Sequence, residues 1–294
     1  MKLAFFVFIL SLASGISCNN NADSVLSSGT ADTSQNITTD PAKDWKLGIA
    51  LWTFHEMSFT DALDKIDSTG LKYIEPIVFQ RAGDQFKDSS ISQLSTDGIE
   101  KLKKIINARD LLVKSIYIVG DSTIQSWKKQ FDLAKQFNVS FVTTEPPLNM
   151  WDNIDSLAGV YGIKVAIHEH WKGPSHYWNP DTVLAAISGH SNFGACADLG
   201  HWPKSGIVPA EAIKKLNGHI INLHLRDIGA FNNPSLRDTI TGKGVVNFPA
   251  VFTELKKQNF KGYIYIEHDA ENHPDNLPLV LHTIAYYKQQ LNLQ

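Results

Sequence analysis

The stretch Lys164-Val165-Ala166-Ile167-His168-Glu169-His170-Trp171 runs through consecutive apolar residues and then breaks into imidazole, carboxylate and indole side chains. Successive apolar positions mark a short strand covered on both faces, as in a parallel sheet flanked by helices. The same change of chemistry at the C-terminal edge repeats along the chain. Downstream, Phe193–Asp198 continues into Leu199-Gly200-His201, Ile220–Leu225 into Arg226-Asp227, and Tyr263–Glu267 into His268-Asp269. Upstream, Phe141–Glu145 ends at Pro146, and Leu47–Thr53, Tyr73–Val78 and Leu112–Val119 are further β-rich runs.

Amphipathic helical stretches with recognisable starts and stops lie between these runs. Ser58 or Thr60 caps Asp61–Ser68, Thr96 precedes Asp97–Ala108, Ser122 opens Ile124–Phe137, and Gly162 stops the helix containing Leu157. Pro209, Phe248-Pro249 and Pro278 stand near the starts of the last three helices, where proline is well tolerated. Eight unbroken β/α alternations predict an α/β chain folded as a single (β/α)8 TIM barrel over residues 45–294. A doubly wound sheet usually needs fewer units, and no Gly-rich phosphate loop follows the first run.

The 294 residues are 43% hydrophobic and 19% charged, enough for one large core. With 27 basic and 30 acidic side chains and no long basic run, the chain lacks the face that neutralises nucleic-acid phosphates, so no nucleic-acid partner is expected. Lys2 and the apolar run Leu3–Leu12 read as a signal segment too short to span a bilayer. Small residues then lead to Cys18, which resembles the lipobox cysteine of bacterial lipoproteins, with Gly15 where that box prefers leucine. The resemblance implies lipidation at Cys18 and a location in the cell envelope, periplasm-facing or at the cell surface, with the membrane touched only through the lipid. The bland alternative is an ordinary cleaved secretory signal. Residues 19–44, poor in large apolar side chains, read as a flexible tether. With Cys18 acylated, Cys196 has no disulfide partner.

In a parallel barrel the C-terminal strand edges converge on one rim, where barrel enzymes build their sites. Period-two alternation points Asp198 inward with Gly194 and Cys196, His224 and Arg226 inward with Asn222, and Glu267 inward with Tyr263 and Tyr265. His168 and His170 share one side of their strand. Carboxylates and imidazoles around an open position suit one divalent manganese, zinc, cobalt or iron ion better than calcium. Trp52 and His55 end the first run and line the pocket; Glu75 meets a sugar hydroxyl or a helix dipole. Trp171 offers a ring to a sugar face. Arg226 is a substrate contact, and Lys243, between two glycines, meets an anionic substrate group or only solvent.

The ordered set Ala166-Ile167-His168-Glu169-His170, Cys196-Ala197-Asp198-Leu199-Gly200-His201, Leu223-His224-Leu225-Arg226-Asp227, Thr241-Gly242-Lys243-Gly244 and Ile266-Glu267 resembles the xylose-isomerase-like barrel superfamily. That group includes sugar phosphate isomerases/epimerases, ketose 3-epimerases, inosose dehydratases and endonuclease-four-type enzymes. The resemblance implies a metal held by His168, Asp198, His224 and Glu267. Ketose epimerases usually carry glutamate where this chain has His168-Glu169-His170. That departure leaves open which of His168 and His170 is the ligand, and removes one of two carboxylate bases. Glu145 is a substitute, as ligand or as base, and His201 is a substrate contact or the partner of a ligand.

The function expected is a metal-dependent sugar isomerase or epimerase acting on a small carbohydrate by α-proton abstraction through an enediolate. Glu267 or Glu145 removes the proton and His170 or His201 returns it. The alternative is a lyase or dehydratase that cleaves 3-keto-glycosides or dehydrates keto-polyols. Two further classes are an endonuclease-like phosphodiesterase, which would want additional histidines on strands two to four, and a non-catalytic carbohydrate-binding lipoprotein. Assembly into a homo-oligomer is left open.

Overall fold

The computed structural model describes residues 40–269 and 275–293; the signal segment, Cys18 and most of the expected tether lie outside them. Eleven strands are present among the described residues: β1 Lys46–Ala50, β2 Tyr73–Glu75, β3 Leu112–Val113, β4 Ser115–Tyr117, β5 Phe141–Thr144, β6 Lys164–His168, β7 Phe193–Asp198, β8 Ile220–Leu225, β9 Asp227–Ile228, β10 Asp238–Thr239 and β11 Tyr263–Ile266. Nine of them form one parallel sheet in the order β3-β2-β1-β11-β8-β7-β6-β5-β4. β3 and β4 are two halves of one stave either side of Lys114: the first pairs with β2 and the second with β5. Backbone bonds from Tyr117 N to Pro76 O (2.8 Å) and from Val78 N to Tyr117 O (3.0 Å) join the two edges. The sheet therefore closes as a (β/α)8 barrel, as expected.

The helices are α1 Phe59–Ile66, α2 Thr96–Ala108, α3 Ile124–Gln136, α4 Trp151–Tyr161, α5 Pro180–Ile187, α6 His201–Lys204, α7 Pro209–Lys215, α8 Phe248–Lys257 and α9 Leu277–Gln290. Side-chain caps set several starts: Ser58 accepts from Asp61 N, Ser95 from Gly98 N and Thr123 from Ser126 N. Two of these caps lie one residue from the expected ones, because Thr96 itself is helical and Thr123 replaces Ser122. Gly162 ends α4 in the left-handed region (φ 66°), which a residue without Cβ enters freely.

Three boundaries differ from the sequence expectation for physical reasons. β2 stops at Glu75 because Pro76 has no N–H to give the ladder. β1 stops at Ala50 and Leu51–Phe54 turns into a 3-10 helix. That turn lets Thr53 accept from His268 N (3.2 Å) and receive the Asn276 amide on its carbonyl (2.7 Å). The packed chain also begins before Trp45. Pro41–Asp44 forms a 3-10 turn with Ala42 buried, and Asp40 pairs with Lys256 at 2.8 Å, so the tether cannot extend to residue 44.

Alternation sorts the strand residues into two layers. Ile49, Ile74, Ile116, Val142, Val165, Ile167, Leu223, Leu225, Ile264 and Ile266 belong to the core shared with the helices. Ala50, Phe141, Ala166, Cys196 and Tyr265 fill the barrel interior, where Ser115 donates to the Tyr265 hydroxyl at 2.9 Å. Register then sets chemistry side by side: β7 pairs with β8 so that Asp198 lies opposite His224.

The excursion β9–β10 between β8 and α8 is pinned by Asp227. Its buried carboxylate accepts backbone N–H bonds from Ile228, Gly242, Gly244 and Val246 at 2.9–3.1 Å. Removing it orphans buried donors, so Asp227→Ala should lower stability by about 1–3 kcal/mol in urea unfolding and speed amide exchange at Gly242 to Val246. Unchanged exchange there would show that the loop is held by something else.

Candidate active site

Four side chains meet at the C-terminal rim. His168 ends β6, Asp198 ends β7, His224 lies in β8 and Glu267 follows β11. One ligand atom from each lies within 4.8 Å of all the others, and all four residues are buried. His168 Nε2 is 3.1 Å from His224 Nδ1 and 3.5 Å from Asp198 Oδ2, and His224 Nδ1 is 2.8 Å from Glu267 Oε2. His168 falls in this group with Asp198, His224 and Glu267, whereas His170 groups with Glu145 and His168.

Three of the four ligand-type groups are aimed by a partner behind them, whereas His168 Nδ1 has none among the described residues. Asp198 Oδ1 accepts from Gly200 N (2.9 Å) and His201 N (2.8 Å), which leaves Oδ2 facing the cluster. His224 Nε2 donates to Glu75 Oε1 at 2.8 Å, and Thr143 holds the other Glu75 oxygen at 2.6 Å. That bond commits Nε2 to Glu75 and leaves Nδ1 as the nitrogen turned toward the cluster, the orientation that carboxylate–imidazole pairs impose on metal ligands. Behind Asp198 and Glu267 lies Arg226, whose Nε and Nη2 fork Asp238 at 3.0 and 2.8 Å while Nη1 reaches Glu267. Gly200 makes room for this guanidinium, since a Cβ there would meet Arg226 Cγ at 2.5 Å.

The charges follow from these contacts. Burial opposes ionisation of Asp198, but His201 and Arg226 beside it hold its carboxyl well below the usual carboxylate range. Burial likewise works against Glu267, and His224 and Arg226 draw it down to about 2. Burial, with His170 adjacent, lowers His168 and keeps its ring neutral. His224 moves the other way: burial disfavours its charge, yet Cys196 and Glu267 raise it well above the ordinary imidazole value. Two ionised acids in a dry cluster call for positive charge, which a divalent cation would supply on displacing the His224 proton. Two carboxylates, two imidazoles and the Glu75–His224 bond therefore fit a divalent transition-metal ion.

Beside this cluster, Glu145 pairs with His170 and accepts from the Ser175 hydroxyl. Burial raises the Glu145 carboxyl, but His170, His168 and the Ser175 hydroxyl together bring it below its usual value and keep it ionised. His201 Nε2 accepts from Arg226 Nη1 at 3.3 Å, and its ring lies 4.6 Å from that of His170. Burial pushes His201 well below the imidazole norm, against the pull of Asp198. A cavity of about 380 Å³ opens on the assembly. His168, His170, His201, His224, Glu267, Arg237 and Asp269 give it a polar side, and Trp52, Ile77, Phe79, Tyr117 and Val119 an apolar one; Trp171 closes the polar side against His201 at 5.1 Å.

Not every expected contact is in the cavity. His55 stacks on Trp52 at 4.1 Å and is outside the lining. Lys243 is exposed in a turn away from the cavity, and the glycines flanking it serve Asp227 instead of an anion. Glu75 and Arg226 do line the cavity, but both are engaged: Glu75 by His224 and Thr143, Arg226 by Asp238 and Glu267. Sequence reasoning missed Asp238, Thr143, Tyr117 and Phe79. A buried inward arginine demands an acid, so the need for Asp238 was readable although its position was not.

The sequence profile described as "Xylose isomerase-like TIM barrel" matches residues 63–290. The chain is 26% identical over 233 residues to an inosose dehydratase of Lactiplantibacillus plantarum, covering 68% of this chain and 74% of that enzyme. A crystal structure of an uncharacterized protein from Parabacteroides distasonis is 32% identical and superposes with a TM-score of 0.67 over 84% of this chain and 99% of its own. The crystal structure of the IOLI protein with a bound zinc atom has 16% identity and a TM-score of 0.69, covering 84% of this chain and 98% of its own, and shares the fold.

Removing the partner that aims His224 tests the metal-ligand geometry. Glu75→Ala should weaken zinc or manganese binding by about 10–100-fold in equilibrium dialysis, with circular dichroism unchanged. Unaltered affinity would mean that His224 is not a ligand.

Proposed function

The chain belongs to the xylose isomerase-like TIM barrel family, and on that premise we propose that it is a divalent-metal-dependent enzyme that removes the proton beside the carbonyl of a sugar-derived ketone and expels a β-oxygen substituent. One observation carries this reading: the ionised Glu145, backed by His170, lies within 4.8 Å of the His168 imidazole that belongs to the four-ligand cluster. A base next to a cation site is the minimum equipment for deprotonating carbon.

His168, Asp198, His224 and Glu267 would hold the metal. When bound, a divalent ion supplies Lewis-acid chemistry, drawing charge from a carbonyl next to the carbon being deprotonated. Glu145 takes the proton, and the Ser175 hydroxyl and His170 keep its oxygens in place. The Glu145–His170 pair then returns that proton to the departing oxygen as the C–O bond breaks, so water or an alcohol leaves. Trp171 presents a ring that excludes water and orients a sugar face.

Elimination is favoured over epimerisation by the chemistry of strand β6. Epimerisation through two carboxylate bases wants an acid on each face of the carbon. Here β6 offers imidazole, and Glu267 is already engaged by His224 and Arg226. The similarity to an inosose dehydratase points the same way.

The test is incubation of manganese- or zinc-loaded protein with keto-inositols and 3-keto-glucosides in deuterated water. The expected result is an unsaturated ketone with loss of water or alcohol, abolished by chelation and reduced by about 10²–10⁴-fold in Glu145→Gln. Deuterium at the α-carbon with the substituent retained would instead assign an isomerase or epimerase. Neither elimination product nor exchange with any metal supplied would remove the proton-abstraction reading altogether.

A further inference from the structure

One wall of the cavity is more apolar than a free sugar requires. Trp52, Ile77, Phe79, Tyr117 and Val119 form it, from the turn after β1 and from the edges of β2 and β4. Ile77 is buried and Tyr117 half-buried, but Phe79 and Val119 at the mouth are 49% and 51% exposed. Single exposed apolar side chains are ordinary, whereas a contiguous run of them leading from solvent to a cluster of ionisable groups marks a binding surface.

The rings form a corner. Phe79 meets Trp52 at 76° and Tyr117 at 85°, each with centroids 6.5 Å apart, so a planar guest finds a face on one side and edges on the other. The corner is also fixed. Buried Gln80 donates to the carbonyls of Phe54 (3.1 Å) and Met57 (3.2 Å), tying the Phe79 segment to the turn that carries Trp52. Val78 N bonds to Tyr117 O at 3.0 Å, and Ser92 N to Val78 O at 2.8 Å. Phe79 thus stands exposed on a backbone held from both sides, which lowers the ordering cost of binding.

The opposite wall is imidazole, carboxylate and guanidinium. A ligand that satisfies both walls is polar where it meets His224 and Glu267 and apolar where it meets Phe79. We propose that Phe79, Val119 and Trp52 form a subsite for an aromatic aglycone, and that the substrates are aryl glycosides already oxidised to the ketone rather than free keto-sugars. This rests on the reading of the inner site as a sugar site.

The test is calorimetric titration of the full metal-loaded protein with phenyl β-D-glucopyranoside and with methyl β-D-glucopyranoside. Burial of a phenyl ring against this corner should make the phenyl glycoside bind roughly tenfold tighter. In Phe79→Ala and in Val119→Ser, two exposed positions whose replacement leaves the core intact, the advantage should shrink to about twofold. Equal affinities, no binding of either glycoside at millimolar concentration, or an advantage untouched by both substitutions would overturn the subsite. Sedimentation showing a dimer that Phe79→Ala dissolves would assign the patch to a second copy of the chain and overturn it too. Because intact glycosides are titrated, a retained phenyl preference without elimination from the 3-keto-glucosides sinks only the catalytic proposal, and elimination without the preference sinks only the subsite.

Discussion

Two carboxylates and two imidazoles are held together out of water at one end of the barrel, and much of the surrounding structure answers to that constraint. Charge buried without a partner is strongly unfavourable, so each acid has a compensating contact. Asp198 leans on two backbone N–H groups at the start of α6, Glu267 on Arg226, and Arg226 in turn on Asp238. His224 is aimed by Glu75, which Thr143 fixes. The contacts that neutralise the cluster also orient it, so the same side chains serve stability and geometry.

The second consequence is a division of labour around the rim. Strands β6, β7, β8 and β11 carry most of the ionisable groups, while the turn after β1 and the edges of β2 and β4 carry, apart from Glu75, aromatic and aliphatic ones. β5 stands at the boundary with Glu145, close enough to the imidazoles to be kept ionised yet outside the four-ligand group. A parallel barrel permits this because each strand end is set independently by its own βα loop.

Much of the barrel was legible in the sequence because β6 and β7 read as apolar runs with sharp polar ends and β8 alternates Leu223 and Leu225 with Asn222 and His224; their boundaries match the structure residue for residue. β1 and β2 were harder, since Pro76 and the turn at Leu51–Phe54 end them early while the apolar pattern continues. For the site, alternation placed His168, Asp198, His224 and Glu267 on one side of their strands. What it could not give were partnerships formed across the barrel. Glu75 and His224 are 149 residues apart, and nothing local to either announces their bond. Lys243 misled for the opposite reason: a lysine between glycines looks like an anion clamp, but the loop's amides are spent on Asp227.

The central claim is that these four side chains share one cation. Crystals grown with manganese or zinc, measured at that element's absorption edge, test it most directly. The account predicts a single anomalous peak among His168, Asp198, His224 and Glu267, lost in His224→Ala. A peak at Glu145 and His170 alone, or none with the metal in excess, would contradict it.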